Sequence, residues 1–103
     1  MADNVGLRES FRAYTFHKAN NGPERSLPGL ENFTPEQIFF LSFAQIWCSV
    51  ETPEHLASEI MSDPHSPFRY RAIGPLSNSA DFIQAFNCSA SASMNRADKC
   101  VLW

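Results

Sequence analysis

The 103-residue chain has no apolar run of the length that crosses a bilayer, about 20 residues, so nothing in it reads as a membrane span. Its opening, Met-Ala-Asp-Asn-Val-Gly-Leu-Arg-Glu-Ser, contains no hydrophobic signal core and carries no export instruction of its own. Positive charge is scarce and scattered. Eight Lys and Arg stand against eleven Asp and Glu, giving a formal net charge of −3. No basic run suggests nucleic acid or an anionic membrane surface as a partner. Cysteine is limited to Cys48, Cys88 and Cys100. An odd number cannot all pair within one chain, and no two sit at a C-x-x-C metal-binding spacing. Two readings remain open: three reduced cytosolic thiols, which composition alone favours, or a secreted framework whose partner cysteines lie elsewhere.

What is present is apolar and aromatic side chain, 44% and 13% of residues. That is far too hydrophobic for a disordered tail. The length allows one domain at most, and a chain this short can bury only a modest core.

The apolar spacing predicts a mainly α protein of about four helices. The first runs from Asp3 to about Asn20, with Leu7, Phe11 and Tyr14 at i, i+4, i+7 on one face. Asn20-Asn21-Gly22-Pro23 is its stop signal. A linker over 21–33 contains Pro23, Pro28 and Gly29. Thr34-Pro35-Glu36 opens the second helix: Thr caps the orphan amides, Pro suits the first turn, and Glu favours the positive end of the dipole. Phe39, Phe43, Ile46, Trp47 and Val50 make one face of it, and Phe40, Leu41, Ala44 and Cys48 cover another. Such a helix is expected to be buried on most sides, which a chain this short can hardly provide. Thr52-Pro53-Glu54 repeats the start signal for a third helix with Leu56, Ile60 and Met61 inward, ending near Asp63-Pro64. Residues 63–76 read as loop, and the alternation in Phe68-Arg69-Tyr70-Arg71 predicts a short extended piece near 68–74. Ser77-Asn78-Ser79 offers the cap of a fourth helix with Phe82, Ile83, Ala85 and Phe86 inward. The tail is small and polar until its final Val-Leu-Trp.

Several strings carry a family resemblance: Ala2-Asp3-Asn4 with Gly6-Leu7, Arg12-Ala13-Tyr14, Leu27-Pro28-Gly29-Leu30, and Phe39 through Cys48. They continue with Asp63-Pro64-His65-Ser66-Pro67, Arg71 with Ile73-Gly74, Leu76-Ser77-Asn78-Ser79, Ala85-Phe86 with Cys88, Met94-Asn95, and Lys99-Cys100 before Trp103. In that order and at that spacing the whole chain, 1–103, resembles the C-terminal portion of the neprilysin and endothelin-converting-enzyme family of zinc metallopeptidases. The resemblance implies an incomplete thermolysin-like (gluzincin) catalytic domain. The family binds zinc through His-Glu-x-x-His and a later Glu four residues before an Asp. Asp3 matches that Asp. Its Glu partner would fall before Met1, and His17, His55 and His65 form no His-Glu-x-x-His pair. Zinc is thus expected of the full-length family, no metal ligand is assigned in this chain, and none is expected to bind it alone.

The resemblance also assigns roles. Asp3 matches the carboxylate that orients a zinc-bound imidazole. His65 matches the donor that stabilises the oxyanion of the tetrahedral intermediate, and Asp63, two residues earlier, is placed to hold its ring. Arg71 matches an Arg that binds the substrate's backbone carbonyl; Arg69, on the same alternation, is the competing candidate. Read without the family, these are an Asp near a helix start, an exposed loop histidine and surface cations. Val101 stands where some members carry an Arg that grips a substrate's C-terminal carboxylate, and Val cannot pair with a carboxylate. The matching cysteines bond upstream in the family, which implies disulfides from Cys48, Cys88 and Cys100 to a missing N-terminal portion and an extracellular or membrane-ectodomain setting. Asn32-Phe33-Thr34 and Asn87-Cys88-Ser89 are formal glycosylation sequons.

Three functions follow. The first is a fragment of a peptide-cleaving zinc enzyme, inactive by itself. The second is a non-catalytic remnant that binds peptides or docks onto a complementary peptidase portion. The third is a small cytosolic helical protein unrelated to that family.

Overall fold

The structure is a computed structural model and describes residues 1–101. Leu102 and Trp103, and with them the apolar chain end and the Trp103 match, lie outside the described residues. Five helices follow one another: α1 Ala2–Asn21, α2 Pro35–Gln45, α3 Pro53–Ser62, α4 Phe68–Asn78 and α5 Ala80–Ala85. No strand occurs among the described residues, in agreement with the mainly α expectation.

The local signals act where the sequence places them. Gly22 ends α1 with φ at 85°, a left-handed value that costs glycine nothing, and its N–H returns to the Lys18 carbonyl at 2.9 Å. Leu27-Pro28-Gly29-Leu30 closes a turn, with the Leu30 N–H on the Leu27 carbonyl at 3.0 Å and Gly29 at φ 82°; Pro and then a positive-φ Gly are what a type II turn requires. Thr34 caps α2 in a reciprocal box: the Gln37 N–H donates to Oγ1 at 3.2 Å, and Gln37 Oε1 accepts from the Thr34 N–H at 3.0 Å. Thr52 and Ser79 cap α3 and α5 in the simpler way.

The core is small and aromatic. Leu7 and Phe11 of α1, Phe40 of α2 and Leu76 of α4 form it, with Phe40 the most deeply enclosed. Phe11 stacks on Phe40 with centroids 4.8 Å apart, and Phe82 of α5 meets Phe40 edge-on at 5.6 Å. Such pairs add about 0.5–1.5 kcal/mol each beyond area burial. The Gln37 amide of α2 donates to the Ala85 carbonyl at 2.9 Å and ties α5 to this centre.

Two sequence expectations give way. Residues 68–74 are not extended but helical, in α4. Both periods fit Phe68-Arg69-Tyr70-Arg71; the longer stripe decides. Phe68, Arg71, Ala72, Pro75 and Leu76 turn inward at i, i+3, i+4, i+7, i+8, while Arg69, Tyr70 and Ile73 face solvent. The second correction concerns enclosure. Leu41, Ile46 and Val50 are exposed at and beyond α2, and Ile60 and Met61 of α3, expected inward, are exposed as well. α3 stays outside the packing that joins α1, α2, α4 and α5.

The molecule is correspondingly open. Its radius of gyration is 15.5 Å, against about 13 Å for a compact chain of this length. Its accessible surface is 7464 Å², against about 5,800 Å² for a compact monomer of its mass.

The cap and the core give separable expectations. Thr34→Ala lowers unfolding stability by about 1 kcal/mol, and Phe40→Ala by about 3–5 kcal/mol, enough to unfold much of so small a protein. Urea titration followed by circular dichroism reads both; equal effects would mean that Phe40 is not the centre of the core.

Candidate functional site

The sequence-predicted residues divide between the first turn of α1 and the segment from the end of α3 into α4. The folded chain brings them together. Asp3 lies in the first turn of α1, where the helix dipole favours an anion. Arg71 lies one turn into α4, on the inward stripe. Arg71 Nε donates to Asp3 Oδ2 at 2.8 Å and Nη2 donates to Oδ1 at 2.8 Å. This is the two-pronged geometry that fixes a guanidinium plane against a carboxylate plane. Both side chains are largely covered, about one-fifth exposed. The guanidinium also lies over the Trp47 ring, 3.9 Å from its centroid, where the ring's electron-rich face attracts it.

Arg71 is thus held on one edge by Asp3 and on one face by Trp47. Of its five N–H groups the ion pair uses two. The other donors are available to a carbonyl acceptor. Arg69 is exposed and has no part in this arrangement. Hydrogen bonding from Arg71 holds the Asp3 carboxyl below its ordinary range, against the opposing effect of burial, and His65 contributes a smaller electrostatic effect in the same direction. Asp3 in turn raises the Arg71 pKa.

Asp63 and His65 form the second part. Asp63 ends α3 in an extended conformation. Its Oδ1 accepts from the His65 backbone N–H at 2.7 Å and lies 2.7 Å from His65 Nδ1. The backbone bond to His65 is the main cause that lowers the Asp63 pKa, followed by the side-chain bond, with Arg71 adding a smaller effect. A carboxylate on Nδ1 places a proton there and fixes the ring's orientation. The ring itself is mostly exposed. Asp63 is influenced by Arg71 and Asp3 by His65, so both parts share one electrostatic neighbourhood.

A further set of hydrogen bonds holds the elements in register. Asn78 Nδ2 donates to Asn4 Oδ1 at 3.0 Å, and Asn78 Oδ1 accepts from the Cys100 N–H at 3.1 Å. The first turn of α1, the end of α4 and the C-terminal segment therefore meet at one side chain. Asn4 and Asn78 were visible in the sequence only as motif letters; polar pairs so far apart in the chain leave no local signal. Trp47 was read as a helix-face residue, and its part in holding Arg71 was likewise missed.

Among the described residues one group could offer three metal-type donors. Glu51, His55 and Glu59 lie at i, i+4, i+8 around α3, with their ligand atoms within 4.8 Å of one another. Burial chiefly, then Glu51, raises the Glu59 pKa. The sequence reading placed His55 in solvent, and it is exposed. This trio is not the zinc set that the resemblance implies. No His-Glu-x-x-His is present, and Asp3 holds an arginine rather than an imidazole. Each Asp3 oxygen accepts one bond from Arg71 and keeps a lone pair for a further donor. Cys48, Cys88 and Cys100 are free thiols, the first and last exposed. No described helix is long and apolar enough to cross a membrane.

Residues 1–102 match the model of peptidase family M13, and the chain belongs to that family. Over all 103 residues it is 50% identical to endothelin-converting enzyme 1 of Homo sapiens, 48% to that of Bos taurus, and 46% to neprilysin of Homo sapiens. The whole chain is covered in each case, but only 13–14% of the relative. The chain therefore spans about one-seventh of the length of these relatives.

The ion pair gives a pH signature. The Asp3 pKa is depressed by folding, so its contribution is complete above the unfolded value, about 3.9, and is lost as pH falls through the lower folded value. Between about pH 5 and pH 2.5 the native protein should lose more stability than Asp3→Asn, with Asp63 and Glu36 contributing equally to both. Urea midpoints across that range measure it; parallel curves would show that the pair contributes nothing to folding.

Proposed function

We propose that this chain is the C-terminal portion of an M13 zinc metalloendopeptidase domain. In this reading it supplies the substrate clamp and the oxyanion donor, while residues outside these 103 hold the metal. The observation that carries the reading is the docking of Arg71 against Asp3 and Trp47 with N–H donors to spare. A guanidinium fixed on one edge and one face presents its remaining donors in a set direction, which suits a peptide carbonyl.

The other roles follow from the chemistry of each side chain. His65, oriented by Asp63, donates to the oxygen on which charge grows when a peptide carbonyl becomes tetrahedral. Asp3, kept ionised by Arg71, retains lone pairs for a zinc-bound imidazole of the complementary portion. The metal, when bound there, polarises the carbonyl and activates water. Exposed Val101 offers no cation at the position after Cys100 for a substrate's C-terminal carboxylate, which favours internal cleavage over removal of C-terminal dipeptides. The chain alone has no peptidase activity.

Support for a missing portion comes from the surface. Ile46, Val50, Ile60 and Met61 are exposed, and exposed apolar area on this scale marks an interface. Trp47 Nε1–H is buried without a hydrogen-bond partner, which costs about 1–3 kcal/mol until an acceptor is supplied. Disulfides from Cys48, Cys88 and Cys100 to upstream cysteines would fix the assembly and place it in an oxidising, extracellular or membrane-ectodomain setting. The same exposed surface favours a second reading, a non-catalytic piece that docks onto a peptidase portion without completing its site. Activity of the reassembled pair distinguishes the two.

The purified chain should cleave no peptide. Reassembled with an M13 portion that carries His-Glu-x-x-His, it should restore cleavage. In that pair His65→Ala should lower kcat by about 10²–10³-fold, and Arg71→Ala should lower kcat/KM with a rise in KM. Turnover by the isolated chain, or a reassembled enzyme indifferent to His65→Ala, would overturn the assignment.

A further inference from the structure

We infer that Asn32 is an N-glycosylation acceptor, that Asn87 is not, and that the connection between α1 and α2 is a solvent face of the longer protein. The inference rests on the oxidising, extracellular setting proposed above.

The two sequons are equivalent as strings and differ in the fold. Asn32 is a central residue of a turn closed by the Phe33 N–H on the Leu30 carbonyl at 3.0 Å. Asn32, Phe33 and Thr34 are all exposed, and none of the described side-chain hydrogen bonds involves the Asn32 amide. The turn stands between two fixed points, the Pro28-Gly29 turn and the Thr34 cap of α2, so it projects without being covered. Asn87 and Ser89 are exposed too, but the Asn87 sequon differs in its backbone and its middle residue. It has a left-handed φ of 49° at the end of α5. Cys88, the middle residue of its sequon, is half-buried and returns its N–H to the Ile83 carbonyl at 3.0 Å. Asn95 folds back over the segment and donates to the Ser89 carbonyl at 3.0 Å. That sequon is engaged on both sides, and a thiol at its centre is committed to a disulfide under the proposed setting.

The chemistry needs a lipid-diphosphate-linked oligosaccharide and the transferase of the secretory pathway. Asn32 Nδ2 forms the bond to the anomeric carbon. The bond from that carbon to the diphosphate breaks, the lipid diphosphate leaves with the electron pair, and the amide proton passes to a base. The product suits its surroundings: Leu27, Leu30 and Phe33 are exposed apolar side chains on this connection, and a glycan rooted among them covers them with a hydrophilic, bulky group. Such a group cannot be packed into a protein interface. The complementary peptidase portion must then dock on the elements that bear Ile46, Val50, Ile60 and Met61 and leave the α1–α2 connection free.

The test is translation of the full chain behind a cleavable secretion leader in the presence of microsomes, with translocation scored separately by protease protection. Because the leader drives entry, the result does not depend on where the longer protein resides or on whether it is a peptidase. Protected chains should carry one glycan, removed by peptide N-glycosidase with conversion of Asn32 to Asp in the mass spectrum. Asn32→Gln and, independently, Thr34→Ala should abolish it, and Asn87→Gln should leave it unchanged. Protected chains without a glycan, or with the glycan on Asn87, overturn the proposal.

Discussion

The ion pair between Asp3 and Arg71 is the constraint on which the rest of the arrangement depends. It joins two residues from opposite ends of the chain, and it exists only because α1 and α4 pack side by side through Leu7 and Leu76. The apolar contact sets the distance between the helices; the ion pair then sets their register and rotation. Two parallel hydrogen bonds of 2.8 Å tolerate little rotation of either plane. Asn78 adds a second fixed point nearby, bonded to Asn4 on one side and to the Cys100 amide on the other. A charged pair at a protein surface contributes little by itself. This one is partly covered, bidentate and backed by an aromatic face, and its main effect is positional.

The parts of the fold legible in the sequence are those decided within one turn of chain. Gly22, Thr34 and Thr52 act at the positions where their residue types predict, because capping involves neighbours three or four residues away. The Asp63–His65 contact is legible for the same reason. α4 was obscured because four residues of alternating character satisfy the period of a strand and that of a helix alike; Pro75 and Leu76, further along, break the tie. The exposure of Ile46, Val50, Ile60 and Met61 was not legible as exposure at all. Hydrophobicity encodes what a side chain ought to contact, and these side chains find no such contact within the described residues. The site was readable as motif residues by resemblance. The joining of Arg71 to Asp3 and to Trp47 is tertiary and has no signature in local spacing.

These misreadings share one physical cause. The second helix was expected to be enclosed on most sides, and its sequence is indeed that of an enclosed helix. The chain encloses Phe40, half-covers Phe39, Phe43, Ala44 and Trp47, and leaves Leu41, Ile46 and Val50 in water. The large surface, the wide radius of gyration, the detached α3 and the unpaired Trp47 donor are four expressions of the same deficit. Family membership over about one-seventh of each relative's length accounts for it. The sequence retains the pattern of a larger core, and the fold realises the portion that its own residues can close.

The Asp3–Arg71 pair holds in this open structure because its supports lie within the chain. Phe11, Phe40 and Leu76 support α1 and α4 from within the chain, and the polar contacts of Asp3, Asn4, Arg71 and Asn78 run to one another, to Trp47 and to the Cys100 amide. The His65 ring is less secure, since it is held only by Asp63 and stands mostly in solvent. Arg71 connects the two. It keeps Asp3 ionised through direct bonds and lowers the Asp63 pKa more weakly, so one fixed guanidinium biases both carboxylates toward the charged form that accepts an N–H. A positive charge placed there keeps both carboxylates ready to accept a hydrogen bond. Replacing Arg71 by a flexible ammonium would preserve the charge and lose the plane. The plane is what Asp3 and Trp47 jointly define.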